Sequence, residues 1–177
     1  MDWYTYFNHM EKKKAIQDSL YLKHEKRISV KRLGELLIDW GIIDRIQMKK
    51  ALEVQKSLAR TRKQDEAILF GEILVELGLA KDKDITMALA TQYHLPYFPL
   101  KSYVINPEAV QMVPGEVAKK HLLIPLDKFD NCLTVAMSNP LNSKAIDEIK
   151  ALTRCSIQLL ISTSSEIKNA ISLFYSN

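Results

Sequence analysis

Residues 32–55 and 69–92 are two copies of one segment, thirty-seven positions apart: RLGELLIDWGIIDRIQMKKALEVQ and LFGEILVELGLAKDKDITMALATQ. Seven positions are identical: Gly34/Gly71, Glu35/Glu72, Leu37/Leu74, Gly41/Gly78, Ala51/Ala88, Leu52/Leu89 and Gln55/Gln92. Four of the chain's five glycines fall at these places. Glycine weakens a helix interior, so its return at fixed spacing marks a geometric need. An internal duplication constrains the fold strongly, because each copy is one structural unit that must bury its apolar face against a neighbour.

Each copy reads as a hairpin of two unequal helices. The first helix starts near the first glycine, presents Leu36, Leu37 and Trp40 in copy one, and stops at the second glycine, where a left-handed C-cap is wanted. The second starts at Asp44 or Lys81. Ile46, Met48, Ala51 and Leu52 give its apolar spacing in copy one, and Ile85, Ala88, Leu89 and Gln92 in copy two. The two hairpins are expected to pack as pseudo-symmetric halves of one helical subdomain, residues 31–93.

Upstream, residues 1–30 carry Trp3, Phe7 and Met10 at helical spacing, then Lys12, Lys13, Lys14, Lys23, Lys26 and Arg27. This reads as a basic amphipathic helical extension, which docks on protein or rests on a membrane surface. Between the copies, residues 56–68 are polar and hold Arg60, Arg62 and Lys63. This linker is expected to continue the preceding helix before a short loop.

All six prolines lie from Pro96 onward, which places the boundary of a second part, residues 94–177. The text LPYFPL predicts a short extended segment suited to an edge or turn. Asn106-Pro107 and Pro114 start helices; Leu122–Leu126 and Cys132–Met137 form a hairpin; Ser143 caps a helix; Ser156–Ile161 is a strand; and a last helix follows Ser162–Ser165. The fold class is therefore α+β, a helical subdomain of two tandem hairpin repeats followed by a small α/β layer.

At 177 residues and 47% apolar the chain is long enough to bury a core. No apolar run reaches bilayer length and the start lacks a secretory signal pattern, so a cytoplasmic location is expected. Residues 1–63 hold fifteen Lys/Arg against eight Asp/Glu, a balance of +7; the remainder holds ten against thirteen, or −3. The basic first third suits an anionic partner or is simply a solvated surface.

The usual catalytic constellations are absent: there is no GxxxxGK[ST], HExxH or GxSxG. The four histidines are scattered, and Cys132 and Cys155 show no metal-ligand spacing, so reduced core thiols are expected. Glu35 and Glu72 follow the glycine at a helix start, where a carboxylate caps and favours the dipole. The chain is expected to be no enzyme and to hold no cofactor or metal.

The duplicated pattern RLGxxLxxxGxIxxxxLxxALxxQ, with Met48 at the central leucine, resembles the cyclic di-GMP-binding motif of MshEN domains. These are N-terminal domains of type II secretion and type IV pilus assembly ATPases, related to the N-terminal domain of GspE. LPYFPL, NPEAV, LTVAMSNP and the closing helix resemble that family's second half, so the likeness runs from about Lys31 to Phe174. It implies a bacterial signalling module that binds cyclic di-GMP with one half-site per copy, mostly by apolar packing. Carried over, Arg32 meets phosphate or guanine; Leu33, Gly34, Met48 and Leu52 pack on the nucleotide and Gln55 hydrogen-bonds it. Phe70, Gly71, Ile85, Leu89 and Gln92 are the second set, and Asn139 contacts guanine. A guanidinium at a helix start combines charge with unpaired backbone N–H groups, which suits an anion.

The sequence departs from that pattern at Leu69, in the arginine position of copy two, at Phe70 for leucine, at Asn139 for aspartate, and in a longer linker. Arg60, Arg62 or Lys63 are candidates to replace the missing charge. Two functions stay open: a ligand-sensing regulatory module that acts on a protein partner such as a secretion or pilus ATPase or an inner-membrane assembly component, and an adaptor of the same machinery that binds no nucleotide. No nucleic-acid partner is expected, because the second helices show no basic recognition face.

Overall fold

The structure, a computed structural model, describes residues 31–61 and 69–175. The amphipathic helix expected in residues 1–30 and the linker cations Arg62 and Lys63 lie outside the described residues. Residues 31–177 form one compact unit. Its helical part consists of α1 (Leu33–Asp39), α2 (Arg45–Thr61), α3 (Phe70–Glu76) and α4 (Asp82–Tyr93).

The two copies start and stop their short helices with the same bonds. The Glu35 carboxylate accepts the Arg32 backbone N–H at 2.8 Å, and Glu72 accepts that of Leu69 at 3.0 Å. Both glutamates therefore cap, which satisfies one of the donors a helix start leaves unpaired. At the other end Gly41 and Gly78 both have φ of +67°, where a Cβ would be strained. The N–H groups of Gly41 and Ile42 bond the carbonyls of Ile38 and Leu37, and those of Gly78 and Leu79 bond Val75 and Leu74. This double closure turns the chain into the second helix. In copy one Asp44 and Gln47 cap α2 reciprocally, at 2.7 and 2.9 Å.

The hairpins exchange partners: α1 packs on α4, and α2 on α3. Leu37 and Leu74 and Ala51 and Ala88, all duplicated positions, are fully buried in the shared core with Ile43, Ile73 and Ile85. The small Ala51 and Ala88 let the helices close on one another. The buried face of α2 follows the expected spacing only in part: Ala51 is fully buried and Met48 packs against the core. Ile46 is 81% exposed and Leu52 37% exposed, whereas Val54 and Leu58 pack against the core.

After α4 the expected extended segment makes a single parallel bridge, Tyr97 to Ile161, and then a 3₁₀ turn at Leu100–Ser102. Pro96 and Pro99 have no N–H with which to extend a ladder. There follow α5 (Pro107–Gln111), capped by the Asn106 side chain, and α6 (Gly115–His121). The sheet has order β1 (Leu123–Phe129), β2 (Cys132–Met137), β3 (Ser156–Ile161), with β1 antiparallel and β3 parallel to β2. A bulge at Leu126 interrupts β1 beside Pro125. Residues 133–137 of β2 are buried throughout, as suits a central strand.

Between β2 and β3 runs α7 (Ser143–Thr153), capped by Asn142 rather than by the expected Ser143. Asn142 Oδ1 accepts from Ala145 N, so its NH2 donates to His121 Nδ1 and leaves Nε2–H for Glu148, 2.8 Å away. The last helix, α8 (Ser164–Phe174), is capped by Thr163. Glu166 Oε2 accepts from the buried hydroxyls of Ser162 and Thr163, both at 2.9 Å. After α8, the Tyr175 phenol shares its proton between the carbonyls of Val110 and Val113, each 2.9 Å away. Cys155 is buried, Cys132 partly so, and both are free thiols.

Candidate functional site

A cavity of about 500 Å³ opens where copy two meets the α/β layer. The repeat wall is largely apolar: Leu33, Leu69, Phe70, Gly71, Val75, Ile85, Leu89 and Tyr93, with the amide of Gln92. The layer wall is mixed: Leu122 and Leu141 with Ser138, Asn139, Ser164, Ser165 and Lys168. Glu72, Glu76 and Asp82 also border it. A volume of this size with apolar walls and few polar groups is in the range of small-molecule sites.

The exchange of hairpin partners shapes the floor. A methyl added at Gly34 would stand 3.4 Å from the Phe70 ring, and one at Gly71 would stand 3.6 Å from Leu33. Leu33 and Phe70, equivalent residues, thus reach across to each other's glycine and meet the cavity together. Glycine at these positions permits the close approach.

Three polar features decide what the cavity can bind. Gln92 buries its carbonyl Oε1 without a hydrogen-bond partner among the described residues. Such an atom carries a desolvation penalty of about 1–3 kcal/mol until a donor reaches it. Asn139 Oδ1 accepts from Leu141 N at 3.0 Å, which leaves the Asn139 NH2 as the donor available to a ligand. Asp82 accepts the N–H groups of Ser164 at 3.2 Å and Ser165 at 2.8 Å, tying the start of α4 to the start of α8. Both walls are therefore fastened at one edge.

Seven of the twelve residues expected at a ligand site line this cavity: Leu33, Phe70, Gly71, Ile85, Leu89, Gln92 and Asn139. The other five do not. Gly34 is buried beside Met48; Leu52 lies on the outer face of α2; Gln55 is half-buried; and Arg32 is exposed beyond the cavity rim. Arg60, a candidate replacement charge, is exposed near the end of α2 and does not border the cavity. Sequence reasoning missed Asp82, Lys168 and the serines at the start of α8. A signal for Asp82 existed, since copy one has Arg45 at the equivalent place. Lys168, in a separate part of the chain, left none.

A model of the MshEN domain matches residues 93–177. The likeness to individual proteins reaches back beyond those residues into the duplication. The type IV pilus assembly ATPase PilB of Myxococcus xanthus is 35% identical over 144 residues, which is 81% of this chain and 24% of that protein. PilB of Thermus thermophilus is 30% identical over 150 residues, 84% of this chain and 16% of that one. The chain thus spans a quarter or less of the length of these relatives.

Among solved structures, MshE with cdg matches at a TM-score of 0.67 and 24% identity, over 82% of this chain and 99% of that one. The N-terminal domain of XpsE matches at 0.65 and 21%, over 84% and 97%. These two show a common fold. The α+β architecture read from the sequence, a duplicated helical part followed by a small layer, is the fold shared with these two structures. Among the described residues no helix is long and apolar enough to cross a membrane, and no group of three or more His, Cys, Asp or Glu is placed to hold a metal ion.

Proposed function

We propose that this chain is a non-catalytic regulatory module that binds cyclic di-GMP in the cavity between copy two and the α/β layer and relays the bound state to a protein partner. The observation that carries the reading is the cavity's largely apolar repeat wall, in which Gln92 keeps a buried Oε1 with no hydrogen-bond partner among the described residues. A buried acceptor wants an N–H or O–H from outside the chain, and guanine and ribose both offer one. The aliphatic side chains of Leu33, Ile85 and Leu89 supply faces for a base. Further support is that MshE, which shares this fold, has been solved with cdg, that is cyclic di-GMP.

A ligand that touches both walls favours the arrangement in which the walls are correctly spaced. Such a ligand shifts populations in proportion to its preference for that arrangement. The partner is expected to be a pilus or secretion ATPase, or an inner-membrane component of the same assembly, on the cytoplasmic side. A second reading, the adaptor that binds no nucleotide, is favoured by one observation: Leu69 stands where copy one has Arg32, and three carboxylates border the cavity.

Calorimetric titration with cyclic di-GMP, beside GTP and cyclic di-AMP, separates the two. Selective, saturable binding that weakens roughly tenfold or more in Gln92→Leu supports the sensor. No heat at high ligand concentration supports the adaptor. In the same series Arg32→Ala reports whether the ligand spans both copies, losing affinity if it does and retaining it if the ligand stays within the copy-two cavity.

A further inference from the structure

The duplication leaves a charge unaccounted for: Arg32 begins copy one, and Leu69 stands at the same place in copy two, on the cavity wall. A dianionic ligand seated in that cavity would meet an apolar N-cap instead of a guanidinium. One cation nevertheless borders the cavity among the described residues, and it comes from the other wall. Lys168 lies one turn into α8, is exposed, and forms no ion pair among the described residues. Asp82, which borders the same end of the cavity, already accepts two backbone N–H groups from the start of α8. Asn139, on Lys168's wall, has committed its oxygen to Leu141 N and presents its NH2. The layer wall thus offers donors, and Gln92 on the repeat wall holds a buried acceptor without a partner among the described residues.

Resting on the nucleotide reading above, we infer that Lys168 holds a phosphate of the ligand in the copy-two half of the site, in the role that Leu69 has vacated. The ligand then lies with its phosphate toward the α/β layer and its base toward the repeat. The site then draws its charge from outside the repeat, and the layer becomes part of recognition instead of a support. Lysine acts here as a point charge, so its contribution falls with salt.

The test is titration of the full chain with cyclic di-GMP at low and high salt, in wild type, Lys168→Gln and Lys168→Arg. Loss of one charge-assisted contact is expected to weaken binding roughly tenfold to a hundredfold in Lys168→Gln. That variant should also show a flatter salt dependence, while Lys168→Arg stays close to wild type. Lys168 is exposed, so the melting temperature of each variant should match wild type and exclude misfolding as the cause. Wild-type binding with unchanged affinity and salt slope in Lys168→Gln overturns the inference while leaving the nucleotide reading intact. Absence of binding in wild type overturns both.

Discussion

The packing around the first glycine of each hairpin gives a prediction whose magnitude the structure fixes. Gly34 and Gly71 are equivalent, yet a methyl group would meet different neighbours at the two places. At Gly34 it would stand 3.0 Å from Met48 Sδ, the flexible end of an unbranched side chain; at Gly71 it would stand 2.6 Å from Ile85 Cγ2, attached to a branched Cβ. Replacing glycine by alanine within a helix gains about 1 kcal/mol from propensity. Overpacking a rigid neighbour costs about 1–3 kcal/mol, and an unbranched thioether gives way for less. Gly34→Ala should therefore lie near neutrality, and Gly71→Ala should be less stable than Gly34→Ala by about 1–2 kcal/mol. Combining Gly71→Ala with Ile85→Met reproduces the pairing of copy one and should recover most of the difference. Urea denaturation of Gly34→Ala beside the four members of the 71/85 double-mutant cycle (wild type, Gly71→Ala, Ile85→Met and both together) measures it. Equal stability of Gly34→Ala and Gly71→Ala, or no coupling between residues 71 and 85, would refute the packing argument.

Other contacts make independent predictions. Asp82→Ala removes two hydrogen bonds from the start of α8 and should cost about 1–2 kcal/mol, with hydrogen exchange quickening at the Ser164 and Ser165 amides; unchanged exchange there would show that the tie is unimportant. Burial pushes the Tyr175 phenol up to about 12, and burial together with Asp127 does the same for Tyr103. Since the unfolded phenol titrates near 10.0, the stability linked to these neutral phenols is complete below that pH and is lost as pH rises toward 12. Absorbance titration should show late-titrating phenols, one fewer in Tyr175→Phe. The hydrogen bond from His121, helped by Lys120, holds the Glu148 carboxyl below its ordinary 4.5, so its stabilising effect is present above that pH and fades as pH falls. The melting-temperature gap between wild type and Glu148→Gln should narrow in acid; a gap independent of pH would contradict it.

What the sequence made legible was local. Gly41 and Gly78 announced the hairpins because a left-handed cap involves only a few neighbouring residues, and Glu35 and Glu72 could be read as caps for the same reason. The cap of α7 was displaced by one residue, since Asn142 and Ser143 are chemically equivalent choices at adjacent positions. The burial of α2 was less legible. Ile46 and Leu52 fit a helical period, but which stripe is buried depends on packing against α3, a partner from the other copy. The candidate site was half-visible in the same way. Repetition pointed to Ile85, Leu89 and Gln92, whereas Asp82 and Lys168 border the cavity only because α4 and α8 come together across more than eighty positions of chain. Arg32, conspicuous in sequence, lies outside the cavity because the exchanged pairing carries its neighbour Leu33 inward instead.

The central claim is that cyclic di-GMP occupies the space between copy two and the α/β layer. Methyl NMR spectra recorded with and without the nucleotide test it most directly. Saturable shifts are expected on both walls, at Leu33, Ile85 and Leu89 on one and at Leu122 and Leu141 on the other, with Ile46 on the outer face of α2 unmoved. Shifts confined to copy one, or spectra unchanged at high nucleotide concentration, would contradict it.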